Sequence, residues 1–392
     1  MKYTMPTRLA ILGSTGSIGT NALDVVQHLS PRFEVFALST HNRVQQLVDQ
    51  VLRFRPKVAA ITNTEPTRDQ RAAIASVNTK LLVGHDALEE IARMEEVELV
   101  LLAVVGAAGV RAAIATIDAG KQLALANKES LVVAGSVLMP LAKERGITIR
   151  PVDSEHSAIF QAMQAGRRGE ISRVFLTASG GPFRDVPVEV MRQSTAEAAM
   201  KHPTWTMGRK VTIDSATMFN KSLELIEACW LFDMNPSEIE IVIHPESIVH
   251  SMVEFQDGST LAQLSPPDMR TPIQYALCWP DRPVGIGRRM DFREKQTWRF
   301  EPVDLAKFES VAIGYEVATT KGTSGSVFNA ANEVAVDALC DGRVVVGDVA
   351  GIVRDTLMKH VRIDHPTVDE LLSADKWARE TARKRVERIS RA

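Results

Sequence analysis

A glycine-rich loop follows the first apolar run of the chain. Residues 9–12 are apolar, and residues 13–19 carry glycine at every third position. An apolar run, such a loop and then an amphipathic stretch are typical of a strand–loop–helix unit. Glycines let the backbone approach a pyrophosphate, and the following helix offers its first N–H groups to the anion. The loop alone could be a structural turn, but in this setting it predicts a dinucleotide site.

The first 150 residues alternate short apolar runs with amphipathic stretches. We predict strands at residues 9–12, 34–39, 58–62, 81–83, 98–104, 123–126 and 147–150. Helical patterns lie between them, for example at residues 21–29, 44–54 and 110–119. This alternation indicates parallel βαβ units. It predicts an α/β fold whose N-terminal domain, residues 1–150, is a doubly wound, Rossmann-like parallel sheet that binds the cofactor.

The pattern changes after residue 150. We predict helices at 155–165 and 216–232, and strands at 171–177, 240–243, 248–255 and 260–264. Neighbouring strands that follow one another directly favour a mixed sheet, so residues 151–285 are predicted to form a central α+β catalytic domain. Residues 179–209 are predicted to form a mobile flap, 286–312 a linker, and 313–392 a C-terminal helical domain with helices at 330–339, 347–360 and 368–389.

Composition restricts the partners. The 392 residues carry a formal net charge of −2, so we expect neither nucleic acid nor a membrane as a partner. We see no signal peptide and no apolar run long enough to span a bilayer. Cys229, Cys278 and Cys340 match no zinc or redox spacing, which favours a reducing, cytoplasmic location.

The end of the second predicted strand indicates which dinucleotide is bound. An acidic residue there would accept a hydrogen bond from the ribose 2′-hydroxyl of NAD. The chain instead has Thr40, His41, Asn42 and Arg43. Because Arg43 and His41 could bind a 2′-phosphate, NADP is favoured. The alternative is that Arg43 only lies exposed at the start of the next helix.

Three acids suggest a metal site. Asp153 and Glu155 flank Ser154 just after a strand, and Glu224 lies on a predicted helix. The first two could also be a helix cap and a solvated acid. With Glu224 they make three oxygen ligands, which suit Mg²⁺ or Mn²⁺. A phosphate cradle is expected nearby. Its predicted members are Ser179, Ser215 at the start of the helix, Asn220 and Lys221.

The chain then shows a family resemblance. The stretches that carry it are GSTGSIG (13–19), LANKESLV (125–132), PVDSEHSAIFQ (151–161), ASGGPFR (178–184), HPTWTMG (202–208), DSATMFNKSLELIEA (214–228), IHPESIVHSM (243–252), PPDMRTPI (266–273) and NAANEVAV (329–336). They resemble the 1-deoxy-D-xylulose 5-phosphate reductoisomerases of the non-mevalonate isoprenoid pathway. The resemblance implies NADPH- and metal-dependent rearrangement and reduction of a small phosphorylated sugar to 2-C-methyl-D-erythritol 4-phosphate, by a homodimer using Mg²⁺, Mn²⁺ or Co²⁺.

The resemblance also assigns residues to roles. It implies cofactor contacts by Thr15, Gly16, Ser17, Ile18, Asn127, Glu129 and Gly208, and metal ligation by Asp153, Glu155 and Glu224. It implies substrate contacts by Lys128, Ser154, Glu155, Ser179, His202, Ser215, Asn220, Lys221 and Glu224. Trp205 and Met207 would close a flap over the substrate. Lys128, the three metal ligands, His156, His202 and His244 form the expected catalytic group, although His156 and His244 could equally pack or orient a ligand.

The chain departs from the family at residues 40–43, where relatives commonly carry Ala-Gly-x-Asn, so the 2′-phosphate contacts there do not follow from the resemblance. Ser222 stands where a glycine is common, which we expect a helix to tolerate. Two other functions are possible on the residues alone. One is a metal-independent NADP dehydrogenase of a small aldehyde or hydroxy acid. The other is a non-catalytic NADP sensor.

Overall fold

The computed structural model describes residues 5–201, 205 and 207–390. By its contacts the chain divides into two compact units. Unit 1 comprises Met1–Asn127, Pro140–Ser157 and Asp268–Arg288. Unit 2 comprises Lys128–Met139, Ala158–Pro267 and Arg289–Ala392. This division is coarser than the four-part division predicted above, whose boundaries stay a prediction.

Unit 1 contains a seven-stranded parallel sheet. Its strands are β1 (Thr7–Leu12), β2 (Phe33–Thr40), β3 (Val58–Ile61), β4 (Lys80–Val83), β5 (Leu99–Leu102), β6 (Gln122–Leu125) and β7 (Arg150–Pro151). They lie in the order β4-β3-β2-β1-β5-β6-β7, and every neighbouring pair is parallel. The strand order reverses at β1, as in a doubly wound sheet, so the predicted fold class is confirmed here.

Helices accompany these strands. They are α1 (Ser17–His28), α2 (Val44–Phe54), α3 (Arg68–Ala75), α4 (Ala87–Arg93) and α5 (Val110–Asp118), with α12 (Arg270–Cys278) added from later in the chain. Residues 9–12 of β1 are fully buried. A central parallel strand covered on both faces is apolar throughout, which is why these runs were readable from the sequence. The chain passes between the units within α6 (Lys128–Glu144) and α7 (Ser154–Ala162).

Unit 2 contains a five-stranded mixed sheet. Its strands are β8 (Ile171–Ala178), β9 (Ile239–Ile243), β10 (Val249–Phe255), β11 (Thr260–Leu264) and β12 (Glu301–Pro302), in the order β11-β10-β8-β9-β12. The β8–β9 pair is parallel and the other three are antiparallel. The predicted mixed sheet is therefore confirmed. β8, β10 and β11 lie within one residue of their predicted bounds.

Helices complete unit 2. They are α8 (Val188–Arg192), α9 (Ala196–Ala199), α10 (Arg209–Ala216), α11 (Phe219–Leu231), α13 (Glu309–Thr320), α14 (Ser324–Cys340), α15 (Val346–Met358) and α16 (Val368–Ile389). The predicted C-terminal helices are present, and α13 begins inside the predicted linker. Their apolar faces join the core of the unit, where Phe219 of α11 packs on Phe328 of α14 with ring centroids 5.6 Å apart.

One predicted helix is wrong. Residues 216–232 were expected to be continuous, with Ser215 at the N-terminus. The structure instead has two helices, and Met218 between them adopts a left-handed conformation with φ 60°. Ser215 lies in the last turn of α10, where no free helical N–H groups face a ligand. A phosphate at Ser215 would therefore be held by its hydroxyl and not by a helix N-terminus.

Among the described residues, no helix combines the length and apolarity that a bilayer crossing requires.

Two helical glycines provide a test of the packing under the glycine loop. A Cβ at Gly19 would lie 2.4 Å from the Gly13 carbonyl oxygen, whereas a Cβ at Gly351 in α15 would meet nothing within 4 Å. We expect Gly19→Ala to lose about 1–3 kcal/mol from overpacking, which exceeds the usual helix gain of about 0.5–1 kcal/mol. Gly351→Ala should keep that gain. Differential scanning calorimetry should show Tm falling by several degrees for G19A and not for G351A. An unchanged Tm in G19A would contradict the tight contact.

Candidate active site

The glycine loop is supported from below by side chains of unit 1. The Ser14 hydroxyl donates to Gln50 Oε1 at 2.7 Å, and the Gly13 N–H donates to the Ser39 hydroxyl at 2.9 Å. The Thr15 and Thr40 hydroxyls are hydrogen-bonded at 2.7 Å. Gly13 has φ +94° and lies against Ala103, where a Cβ would approach within 2.5 Å of a carbonyl oxygen. The loop is thus held in one shape by neutral hydrogen bonds and close backbone packing.

The helix after the loop can receive an anion. Gly16 is the N-cap of α1, and no side chain caps that end. Ser17 and Ile18 begin the first turn, where backbone N–H groups lack helical partners and the helix dipole favours negative charge. This is the arrangement in which a strand–loop–helix unit holds a pyrophosphate.

The segment after β2 reaches back to the glycine loop. The Arg43 guanidinium donates to the Thr15 carbonyl oxygen at 3.0 Å, and its backbone N–H donates to the Thr40 hydroxyl at 3.2 Å. His41 Nδ1 lies 2.9 Å from the Thr62 hydroxyl. Arg43 therefore does more than solvate the start of α2, since its side chain lies beside the loop. His41, Asn42 and Arg43 are all exposed.

Asn127 joins two strand ends of unit 1. Its buried amide donates to the carbonyl oxygens of Val104 and Gly106, each at 3.0 Å. A Cβ at Gly109 would meet its side chain at 2.4 Å. Asn127 thus fixes the loop that follows β5, at the edge of the sheet where the glycine loop also lies.

The acid pair lies where β7 runs into α7. The Asp153 carboxylate accepts from the Ser154 N–H at 2.9 Å, and the Ser154 hydroxyl donates to Glu155 Oε2 at 2.6 Å. The Asp153 carbonyl oxygen accepts from the Ser157 N–H, so Asp153 also begins the helix. His156 is fully buried, with Nδ1 3.9 Å from Asp153 Oδ2. At this distance the imidazole lies beside the Asp153 carboxylate without a hydrogen bond between these two atoms.

A buried charge cluster forms in unit 2 around Glu224. Lys128 Nζ donates to Glu224 Oε1 at 3.1 Å and to Asn220 Oδ1 at 3.0 Å. Lys221 Nζ donates to Glu224 Oε2, and the Asn220 amide donates to Oε1. Glu224 is 0% exposed. Two ammonium groups thus face one carboxylate away from water, so each of these buried charges has a partner of opposite sign.

The structure accommodates a serine at residue 222, where relatives commonly have glycine. Its buried hydroxyl donates to the Ser310 carbonyl oxygen at 2.8 Å, and Gly314 lies opposite it. The expected tolerance is thus explained by a partner for the hydroxyl and a glycine that leaves room.

The backbone segments that carry two predicted phosphate ligands, Ser179 and Ser215, are in contact. The turn after β8 has Gly180 at φ +80° and Gly181 at φ +64°. A Cβ at Gly181 would lie 2.7 Å from the Ser215 carbonyl oxygen, so the turn packs directly on the end of α10. The Gly181 N–H donates to the Ser179 hydroxyl at 3.2 Å. Ser179 and Ser215 therefore lie on two backbone segments in contact.

The predicted flap is described in part. His202 lies outside the described residues. Trp205 lies with its ring 6.2 Å from that of His250, and Met207 and Gly208 lead into α10, where Gly208 is the N-cap. His250 was not predicted. It is buried on β10, and its Nε2 lies 3.0 Å from the Ser265 hydroxyl. Only its presence in the matching stretch 243–252 could have indicated it.

The structure favours the packing alternative for His244. Its Nε2 accepts from the backbone N–H groups of Ile248 and Val249, each at 3.1 Å, so Nδ1 carries the proton and donates to the Arg299 carbonyl oxygen at 2.9 Å. The ring is fully buried and stacks on Phe300. Because both nitrogens are bound to backbone groups, the geometry favours the packing alternative, and the place of His244 in the catalytic group stays a prediction.

Glu129 lies beside a lysine that sequence reasoning missed. Its carboxylate is 3.8 Å from Lys210 Nζ. Burial raises the pKa of Glu129, and Lys210 partly offsets the rise. Lys210 also pairs with Asp214 at 2.6 Å. No spacing in the sequence joins Glu129 to Lys210, so only the fold could reveal this pair.

Comparisons with known proteins agree with this geometry. The family model for 1-deoxy-D-xylulose 5-phosphate reductoisomerase matches residues 9–135, that for its C-terminal domain matches residues 149–232, and a further DXP reductoisomerase C-terminal domain matches residues 264–381. The last match extends the similarity well beyond residues 329–336, the only C-terminal stretch that had looked similar.

Relatives match at nearly full length. The 1-deoxy-D-xylulose 5-phosphate reductoisomerase of Chlorobaculum tepidum is 46% identical over 96% of this chain and 98% of its own length. That of Pseudomonas aeruginosa is 43% identical over 96% and 97%.

Solved structures match as well. The Zymomonas mobilis enzyme in complex with NADPH has a TM-score of 0.91 at 40% identity, covering 97% of this chain and 99% of its own. A DOX-P reductoisomerase in complex with NADPH, fosmidomycin and magnesium has a TM-score of 0.91 at 38% identity, covering 97% and 98%. With this fold, these clusters and identity of this extent, the chain belongs to the 1-deoxy-D-xylulose 5-phosphate reductoisomerase family.

Proposed function

We propose that this enzyme uses NADPH and a divalent cation to rearrange and reduce 1-deoxy-D-xylulose 5-phosphate to 2-C-methyl-D-erythritol 4-phosphate. The observation that carries the proposal is the buried Glu224 carboxylate between Lys128 and Lys221. A metal-independent dehydrogenase could use a lysine as its acid but would have no need for the three carboxylates of Asp153, Glu155 and Glu224. A non-catalytic sensor would bind the dinucleotide but would need neither these acids nor a phosphate cradle.

We assign different residues to each part of NADPH. Backbone groups of residues 15–18 would hold the pyrophosphate, and His41, Asn42 and Arg43 would hold the 2′-phosphate. Asn127, Glu129 and Gly208 would contact the nicotinamide half. The support for the 2′-phosphate assignment is the Arg43 side chain beside the glycine loop, together with the absence of an acid at residues 40–43.

The proposed metal ligands are Asp153, Glu155 and Glu224. All three donors are carboxylates, which is the donor set that Mg²⁺ and Mn²⁺ prefer, with Co²⁺ a further candidate. Ser154 and His156 adjoin the first two and would orient them. When bound, the cation supplies Lewis-acid polarisation of the substrate carbonyl and the nicotinamide supplies the hydride for reduction.

The protein's own groups would bind, orient and exclude water. The Ser179 and Ser215 hydroxyls, Asn220 and Lys221 would hold the substrate phosphate, with His202 and Ser154 as further contacts. The phosphate makes no bond in the reaction, so its binding energy can close the flap through Trp205 and Met207. The Lys128 ammonium would stabilise the negative charge that develops on the substrate oxygen during the carbon shift.

Assembly and location are also proposed. A homodimer is supported by β11, which ends the sheet of unit 2 with several exposed side chains and an unpaired edge. A cytoplasmic location is supported by three free cysteines among the described residues.

The reaction itself is the first test. Wild-type protein mixed with NADPH, Mn²⁺ and 1-deoxy-D-xylulose 5-phosphate should consume NADPH, as followed by loss of its absorbance. EDTA should stop the reaction and added Mn²⁺ should restore it. Activity that survives EDTA would favour the metal-independent dehydrogenase. Cofactor binding with no substrate-dependent oxidation would favour the sensor.

Glu224→Gln tests the metal ligand. It keeps the size of the side chain but removes the charge, so kcat should fall about 100-fold or more while the Kd for NADPH changes little. Steady-state kinetics and nicotinamide fluorescence measure the two quantities. Glu227→Gln is the matched control, because it removes another buried carboxylate one turn further along α11. Near-normal turnover of E224Q at limiting Mn²⁺ would show that Glu224 is not a ligand.

Arg43→Ala tests the 2′-phosphate contact. Loss of a charge-assisted hydrogen bond of about 1.5–3 kcal/mol should raise the Kd for NADPH about 10- to 100-fold and leave that for NADH nearly unchanged. Arg53→Ala, at the other end of α2, is the control. Fluorescence titration with both dinucleotides gives the ratio. An equal loss for NADPH and NADH would mean that Arg43 only supports the loop through Thr15.

A further inference from the structure

The stretch NAANEVAV (329–336) has no role in the site described so far. It lies on α14, and its two asparagines, Asn329 and Asn332, are both 0% exposed. A fully buried amide is costly unless hydrogen-bonded, so its partner shows what it stabilises. The two asparagines are one helical turn apart and have different partners.

Asn332 is bound to α10. Its amide donates to Asp214 Oδ1 at 2.9 Å. The other oxygen of Asp214 accepts from Lys210 at 2.6 Å, and Lys210 Nζ lies 3.8 Å from Glu129. The side chains of Asp214 and Glu129 are 1% and 8% exposed. Asn332 thus begins a chain of contacts that runs through Asp214 and Lys210 to Glu129.

Asn329 is hydrogen-bonded to a second, neighbouring cluster, whose Glu333 also has a weaker electrostatic effect on Lys210. Its amide donates to Glu333 Oε1 at 3.0 Å, and Glu333 pairs with Arg379 of α16 at 2.6 Å. Arg379 also pairs with Asp375. This second cluster joins α14 to α16 and involves none of the proposed ligands. Asn329 is therefore a natural control for Asn332, with the same side chain, helix and burial.

The electrostatics explain why the orientation of Asp214 matters. Burial alone would lower the pKa of Lys210, but Asp214 and Glu129, with a smaller effect of Glu333, outweigh it and hold the pKa above its usual range. Lys210 is thus charged and must lie between its carboxylates. If Asp214 could rotate, Lys210 would follow it, and Glu129 would lose its counter-charge.

We propose that Asn332 is a positioning residue: by fixing Asp214 it fixes Lys210, and Lys210 in turn fixes Glu129 and the backbone that follows Gly208. The inference rests on the proposed function in one respect, the assignment of Glu129 and Gly208 to the nicotinamide half of the cofactor. Lys210 follows Gly208 by two residues and Glu129 follows Lys128, so one hydrogen bond from α14 orders both segments. This proposal assigns residues 329–336 an indirect role in cofactor and substrate binding.

Asn332→Asp provides the test. It keeps the size of the side chain but replaces the amide donor with a carboxyl group facing Asp214. The other charged groups nearby are Lys210 and Glu129, with Glu333, Arg379 and Asp375 beyond them. When the new carboxyl is protonated at low pH it can still donate to Asp214. When it ionises, two carboxylates compete for Lys210, so the contact to Glu129 loosens.

The expected result is a pH-dependent loss of binding. The Kd for NADPH of N332D, measured by nicotinamide fluorescence, should rise about 10-fold between pH 6 and pH 8.5 relative to wild type. The KM for substrate should rise with it, and kcat should fall less. Asn329→Asp should lower Tm by a similar amount through repulsion from Glu333, but without this change in Kd. Far-UV circular dichroism at both pH values checks that each variant is folded.

Equal effects of the two substitutions on NADPH binding would overturn the proposal. If N332D and N329D lose binding and Tm together, with no added pH dependence, Asn332 only stabilises the fold. If N332D does not fold, Asn332→Ala and Asn329→Ala replace the pair, and a several-fold rise in Kd for N332A alone is then expected. Wild-type protein that binds NADPH but does not turn over the substrate would refute the proposed reaction, while the comparison of Kd values would still decide this inference.

Discussion

The polar cluster of unit 2 depends on one interaction, the pairing of the buried Glu224 carboxylate with two lysines. Removing a carboxylate from water costs several kcal/mol unless it is paired, and Glu224 is paired with Lys128 from α6 and Lys221 from its own helix. Because these charges are buried together, removing any one of them would leave another without its counter-charge. The geometry of the cluster is set by folding, before any substrate arrives.

In unit 1 the glycine loop is held by neutral groups instead of by paired charges. The glycine loop must offer backbone N–H groups to a pyrophosphate, so a carboxylate beneath it would repel the ligand. The supports of the loop are instead the hydroxyls of Ser14, Thr15 and Ser39 and the amide of Gln50. A positive side chain contacts the loop at Arg43, which donates to the Thr15 carbonyl oxygen, and under the proposed function it would distinguish a 2′-phosphate from a hydroxyl.

Local sequence patterns were sufficient to predict most strands and helices. They could not predict which residues far apart in the chain contact each other. The strands of unit 1 were predictable because buried parallel strands are apolar throughout. β7 was misplaced by a few residues, since it is only Arg150–Pro151, a short edge strand that a proline can join. The contact between His244 and Arg299 spans 55 residues, and the Asn332–Asp214 hydrogen bond spans 118 residues. No spacing rule connects such pairs, so the sequence indicated which residues were chemically capable but not what they contact.

The break between α10 and α11 shows why the missed turn matters for chemistry. In one continuous helix, Ser215 and Glu224 would be nine residues apart, or about 900° of rotation and about 13 Å of rise, and so would point to opposite faces. The left-handed Met218 ends α10 and starts α11, with its carbonyl oxygen accepting from the N–H groups of Lys221 and Ser222. The direction of Ser215, against the Gly181 turn, is thereby independent of that of Glu224. A residue other than glycine in this conformation costs about 1–3 kcal/mol, and it is retained where the surrounding structure requires it. Under the proposed function, the strained turn at Met218 would allow one short segment to supply both a phosphate contact, Ser215, and a metal ligand, Glu224.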